Sequence, residues 1–190
     1  MYLTVDLISS PVALHAFTYS PIEQSLEVND TANLNSSTSA KNKFTKHIMT
    51  INEIQNELIE EFSLFGDWME KYENIIQMGK ELPLIETQYK TDDNLIKGCQ
   101  SRVWLHADFK DGHVIFTADS DAIITKGLVS MVVRVLSNHT PNEIMSADLY
   151  FVDQIGLKEH LSVTRSNGLI SMIKQMKMYA LALQTKENAS

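Results

Sequence analysis

The chain has 190 residues, 44% apolar and 21% charged, which fits a single soluble domain large enough to bury one respectable core. No apolar run approaches the roughly 20 residues that would span a bilayer, so membrane insertion is not expected. A formal net charge of -8 disfavours nucleic-acid binding, which needs basic patches to displace counterions from phosphates, and favours basic protein partners. One cysteine in the whole chain leaves no disulfide framework and makes a reducing cytoplasm the simplest compartment.

Residues 1–48 differ in texture from the rest. The run from Asn29 to Ala40 is small and polar, has no apolar period, and buries too little surface to offset the entropy of ordering. The segment reads as a disordered extension, with Met49 as a second candidate for the natural start. Met1 to Phe17 lacks a basic leading region and contains Asp6, a poor secretory signal, and the absence of arginine before residue 49 weakens a transit-peptide reading.

Thr50-Ile51-Asn52-Glu53 is a capping box, and Ile54, Leu58, Phe62 and Phe65 follow at three- and four-residue steps as one stripe of a helix. Gly66 interrupts the period. Asp67 caps a second helix carrying Trp68, Tyr72, Ile75 and Ile76, and Gly79 is placed to end it. Pro83 and Thr91-Asp92-Asp93-Asn94 mark a long loop. Val103, Leu105, Ala107 and Phe109 then alternate with Arg102, Trp104, His106 and Asp108, the period of a strand with unlike faces. Asp111-Gly112 signals a hairpin turn, and Val114-Ile115-Phe116 returns.

Asp119-Ser120-Asp121 is expected to cap a helix whose apolar positions from Ile123 to Leu136 are dense enough for a central location. Thr140-Pro141-Asn142-Glu143 repeats the capping logic for a short helix. Ser166 is expected to cap a last helix through Leu169, Met172, Ile173, Met176, Tyr179 and Leu183. Helices, hairpin, helices is the order of an α+β domain with helices packed on one side of a small antiparallel sheet.

Cys99 sits in Gly98-Cys99-Gln100-Ser101-Arg102-Val103-Trp104, between the polar loop and the first strand. Its solitude excludes an intramolecular disulfide, a cysteine-based zinc site and a resolving thiol, and argues against an iron-sulfur scaffold, which needs several cysteine ligands. Two readings remain: a buried thiol serving as a small apolar side chain, or one nucleophile acting alone. His106, His113, His139 and His160 raise a cysteine-histidine hydrolase as a minor reading, with nothing in the sequence to place any of them beside Cys99. Met172, Met176 and Met178 read as core filler, the third lying off the stripe of the first two.

The strings Trp68 to Gly79, Gly98 to Trp104, Asp119 to Gly127 and Thr164-Arg165-Ser166-Asn167-Gly168-Leu169 together resemble the SufE family of sulfur acceptors over roughly residues 50 to 184. The resemblance implies a SufE/IscU-like domain over residues 49–190 whose cysteine, here Cys99, accepts sulfur from the persulfide of a SufS-type cysteine desulfurase. It implies that the sulfur passes to iron-sulfur cluster assembly on a SufBCD-type scaffold, and that the desulfurase is stimulated. The pyridoxal phosphate belongs to that partner; no cofactor or metal is expected on this chain. Arg165 matches the family's arginine and is expected to steady the Cys99 loop or pair with an acidic partner residue. Ser101 is a candidate donor to the sulfur or the loop backbone, and Asp121 a helix cap that is also a candidate for docking. The alternative is a noncatalytic adaptor that regulates a desulfurase without carrying sulfur.

Overall fold

The computed structural model describes residues 49–188, so the expectation for residues 1–48 lies outside the described residues. The first element is helix α1 (Ile51–Ser63), headed as its capping box requires: the Thr50 hydroxyl accepts from the Glu53 amide, and the Glu53 carboxylate accepts from the Thr50 amide at 2.7 Å. Its stripe buries Leu58 and Phe62 completely. Helix α2 (Trp68–Lys80) starts on Asp67, whose carboxylate accepts from the Glu70 amide at 3.0 Å.

Gly79 does not end α2. The helix runs one residue further, and Gly79 is where it crosses the next long helix, α3 (Ile123–Leu136), at Gly127. A Cβ on Gly79 would lie 2.9 Å from the Gly127 nitrogen, and one on Gly127 only 2.1 Å from the Ile75 carbonyl oxygen. Two facing glycines let these backbones approach more closely than any side chain allows. Helix α3 is the centre of the fold, as its composition predicts, with ten of fourteen residues buried.

Strands β1 (Val103–Lys110) and β2 (His113–Ser120) form an antiparallel hairpin with Leu105 opposite Ala118 and Lys110 opposite His113. Asp111 and Gly112 both take positive φ, 53° and 80°, the condition for a two-residue turn that matches strand twist. One face places Val103, Leu105, Val114, Phe116 and Ala118 in the core with the helices, so the domain is α+β as expected. The other face is crossed by residues 84–95, which pair through Leu84 with Ala118 on one edge and through Leu95 with Trp104 on the other. The long loop expected there contains two 3-10 turns, Thr87–Tyr89 and Asp92–Asn94, and the Tyr89 ring stacks on His106 at 3.8 Å.

After α3 come α4 (Pro141–Ser146), headed by a second complete capping box at Thr140 and Glu143, and the short helices α5 (Phe151–Gln154) and α6 (Leu157–His160). The closing helix α7 (Val163–Asn188) begins earlier than expected. Ser162, not Ser166, heads it: the Ser162 hydroxyl accepts from the Arg165 amide at 3.4 Å and its carbonyl from the Ser166 amide at 2.9 Å. Among the described residues no helix is long and apolar enough to cross a membrane.

Candidate functional site

Cys99 lies on a six-residue excursion, residues 97–102, closed at its base where the Ile96 amide donates to the Val103 carbonyl at 2.8 Å. The two roots of this loop are held differently. At Arg102 the amide donates to Asp121 Oδ1 at 3.0 Å, and the carbonyl accepts from the Ser120 hydroxyl at 2.9 Å and the Asp121 amide at 3.3 Å. Asp121 therefore does not cap α3, whose N-cap position is Ala122 with no side-chain cap. Its carboxylate had a competing donor nineteen residues back in sequence, and the expected cap is replaced by a latch on the Cys99 loop.

At the other root Gly98 takes φ of +93°, a conformation L side chains rarely adopt, and an added Cβ would meet Ser171 Oγ of α7 at 3.1 Å. The loop leans on α7 here. The Cys99 side chain is half-buried against Gly168, with the thiol donating a weak hydrogen bond to the Gly168 carbonyl at 3.6 Å. A Cβ on Gly168 would lie 3.4 Å from the sulfur, in van der Waals contact with it, so the thiol packs directly on this turn of α7. Burial pushes the thiol up from its ordinary value, and at neutral pH it rests protonated.

Beside the sulfur opens a cavity of about 250 Å³ where the Cys99 loop meets the first turns of α3 and α7. Leu128, Met172 and Ile124 supply apolar walls, while Ser101, Thr125 and Thr164 bring hydroxyls. Arg165 also lines it, and its guanidinium makes no hydrogen bond or ion pair among the described residues. Ser101 accepts from the Thr125 hydroxyl at 3.4 Å, tying the loop to α3. Of the residues singled out in the sequence, Cys99, Ser101 and Arg165 thus meet at one cavity, and Asp121 acts on it from behind the loop.

No histidine lines that cavity. His106 is under Tyr89 and 3.2 Å from Asp108, His139 is buried after α3, and His160 stacks on Trp68 at 4.0 Å. Burial lowers His139, partly offset by Glu143 and reinforced by His113. Met172 and Met176 are in the core while Met178 is exposed. Among the described residues no three His, Cys, Asp or Glu side chains gather as a metal-binding group.

The sequence offers Asp119 only as part of a helix cap and gives no sign of its two lysine partners. Its carboxylate takes Lys90 at 2.5 Å and Lys126 at 2.8 Å, joining the segment that leads into the Cys99 loop, β2 and α3. Burial alone would raise this carboxyl, but hydrogen bonds from Lys126, Lys90 and the Ser120 amide, with the Lys126 charge, hold it below the usual carboxylate range.

Residues 56–180 match the SufE domain, described as an Fe-S metabolism associated domain. The chain is 38% identical over 143 residues, 73% of its length, to SufE-like protein 1, chloroplastic/mitochondrial, of Arabidopsis thaliana, and spans 38% of that relative's length. The fold matches the solution structure of a hypothetical protein from Thermus thermophilus with a TM-score of 0.60 at 16% identity, covering 70% of this chain and 96% of that one. The matched region runs from within α1 into α7 and contains both the Cys99 loop and the Arg165 turn that the family resemblance singled out; the chain belongs to the SufE family.

Proposed function

We propose that the chain is a sulfur carrier that takes a sulfane sulfur from the persulfide of a SufS-type cysteine desulfurase onto Cys99 and passes it to a SufBCD-type iron-sulfur assembly scaffold, stimulating the desulfurase by clearing its product. One observation supports this above the others: the lone thiol is on a loop at a cavity mouth, half-buried against a helix backbone instead of sealed in the core. Such a thiol is accessible through loop motion alone, without unfolding.

The transfer balances without an oxidant. A Cys99 thiolate attacks the outer sulfur of the donor persulfide, the donor's sulfur-sulfur bond breaks, and the electron pair and then the proton settle on the donor thiol. Because burial keeps the resting thiol protonated, activation falls to the docked state, where the thiol leaves the Gly168 carbonyl and the partner's site removes its proton. Ile123, 69% exposed, and Val163, 78% exposed, begin α3 and α7 beside cavity-lining residues and offer apolar anchors for that docking. We place the reaction in a reducing compartment, the cytoplasm in the first instance, where one free thiol stays available.

The test is sulfide release by the desulfurase with and without this chain. A carrier loses all stimulation on Cys99→Ser; a noncatalytic adaptor keeps it.

A further inference from the structure

We propose that Cys99 has two seats in one cavity, a thiol seat at the Gly168 carbonyl and a persulfide seat at the Arg165 guanidinium, so that loading with sulfur itself moves the side chain from the first to the second. The inference rests on reading Cys99 as the sulfur carrier and adds how the loaded and empty forms differ.

The geometry makes the first seat selective for a neutral donor. The sulfur faces a carbonyl oxygen at 3.6 Å, an acceptor that holds S–H and repels an anion. A persulfide loses its proton more readily than a thiol, so the loaded side chain has no hydrogen to donate and carries negative charge at its outer sulfur. Within the cavity one lining residue is charged, and it is Arg165. Its side chain is exposed at the cavity rim and has no partner among the described residues, so it is free to turn toward a charge formed there.

The neighbouring charges are otherwise engaged or outside the lining. From the hairpin end, Asp121 is bonded to the Arg102 amide; from α3, Lys126 is held by Asp119. On the loop, Arg102 lies over the Trp104 ring at 4.8 Å and reaches Asp92 at 3.9 Å, and Lys97 is exposed outside the cavity. The anion created by loading therefore has one cation waiting in its own cavity. The hydroxyls of Thr164 and Ser101 are in the same lining and can donate to it.

The test uses the full chain, isotope-labelled with nitrogen-15, in three states: free thiol, persulfide, and methyl disulfide. Inorganic polysulfide makes the persulfide, Cys99 displacing a shortened polysulfide that departs with the thiol proton. Methyl methanethiosulfonate makes the methyl disulfide, which adds similar bulk without charge and releases methanesulfinate. The expected result is that both adducts shift the Leu169 amide, which reads the Gly168 carbonyl, whereas the persulfide alone shifts the Arg165 Nε–H. In parallel, the pH dependence of persulfide absorbance is compared across Arg165→Gln and Arg165→Lys. Glutamine should weaken the persulfide as an acid roughly threefold to tenfold, the effect of one charge partner at a partly exposed site, and lysine should restore most of it.

An Arg165 resonance that ignores the persulfide, or answers both adducts equally, overturns the two-seat account, as does an unchanged pH profile in Arg165→Gln. Chemical loading makes this independent of the donor: a chain that loads from polysulfide but takes nothing from the desulfurase refutes the carrier reading and leaves the two seats readable.

Discussion

Replacing Asp121 with alanine tests whether the Cys99 loop is latched at its Arg102 root. The substitution removes one acceptor, Oδ1 at 3.0 Å from the Arg102 amide, and leaves the Ser120 hydroxyl and the residue-121 amide on the Arg102 carbonyl. Hydrogen bonds to a charged acceptor contribute about 1.5–3 kcal/mol, and at an exposed carboxylate the lower end shrinks to about 1 kcal/mol. If that bond forms only while the loop is seated, its loss raises the population of the released loop by about fivefold, since roughly 1.4 kcal/mol corresponds to a factor of ten. Iodoacetamide alkylation of the native chain, followed by mass spectrometry at fixed pH, reads that population through Cys99. The expected outcome is a rate about fivefold faster, with urea stability reduced by no more than about 1 kcal/mol. A rate equal to that of the parent chain would refute the latch; a fall in global stability of several kcal/mol would show that Asp121 serves the fold instead.

Other outcomes follow from the same geometry. Gly127→Ala puts a methyl 2.1 Å from the Ile75 carbonyl oxygen, a backbone atom that no rotamer change can clear, and should cost about 3 kcal/mol in urea unfolding; a change under about 1 kcal/mol would contradict the close α2–α3 crossing. Because burial raises the Cys99 thiol, its alkylation rate should still be climbing at a pH where a small-peptide thiol has levelled off, and coincident profiles would show a seat that does not form in solution. The Asp119 carboxyl is held below its unfolded value, so its contribution to stability is present above the ordinary carboxylate range and lost as pH falls through the depressed folded value. Asp119→Asn should therefore flatten part of the acid limb of stability against pH; an unaltered limb would mean the Lys90 and Lys126 pairs contribute nothing.

What was legible in the sequence was local. The capping boxes at Thr50 and Thr140 and the Asp111-Gly112 turn are written within four residues, and each forms as read. Helix α3 was legible as central because nine of its fourteen positions are large and apolar. Two misreadings share a cause: the residue had a local role available and a distant partner took precedence. Gly79 resembles a helix stop but answers Gly127 across a helix crossing, and Asp121 resembles a cap but binds the Arg102 amide. The third is local: Ser162, one turn earlier, takes the cap that Ser166 resembles. Gly168 gives no local sign of its contact, because the sulfur it packs against is 69 residues away in sequence. The seat of Cys99 is for the same reason invisible in the chain, where its string and that of Arg165 can be recognised but not brought together.

The most direct measurement is the intact mass of the purified chain after incubation with a SufS-type desulfurase and free cysteine. The account predicts an added mass of one sulfur atom, located at Cys99 by peptide mapping, removed by dithiothreitol and absent from Cys99→Ser. An unmodified Cys99 under conditions where the desulfurase is turning over would contradict it.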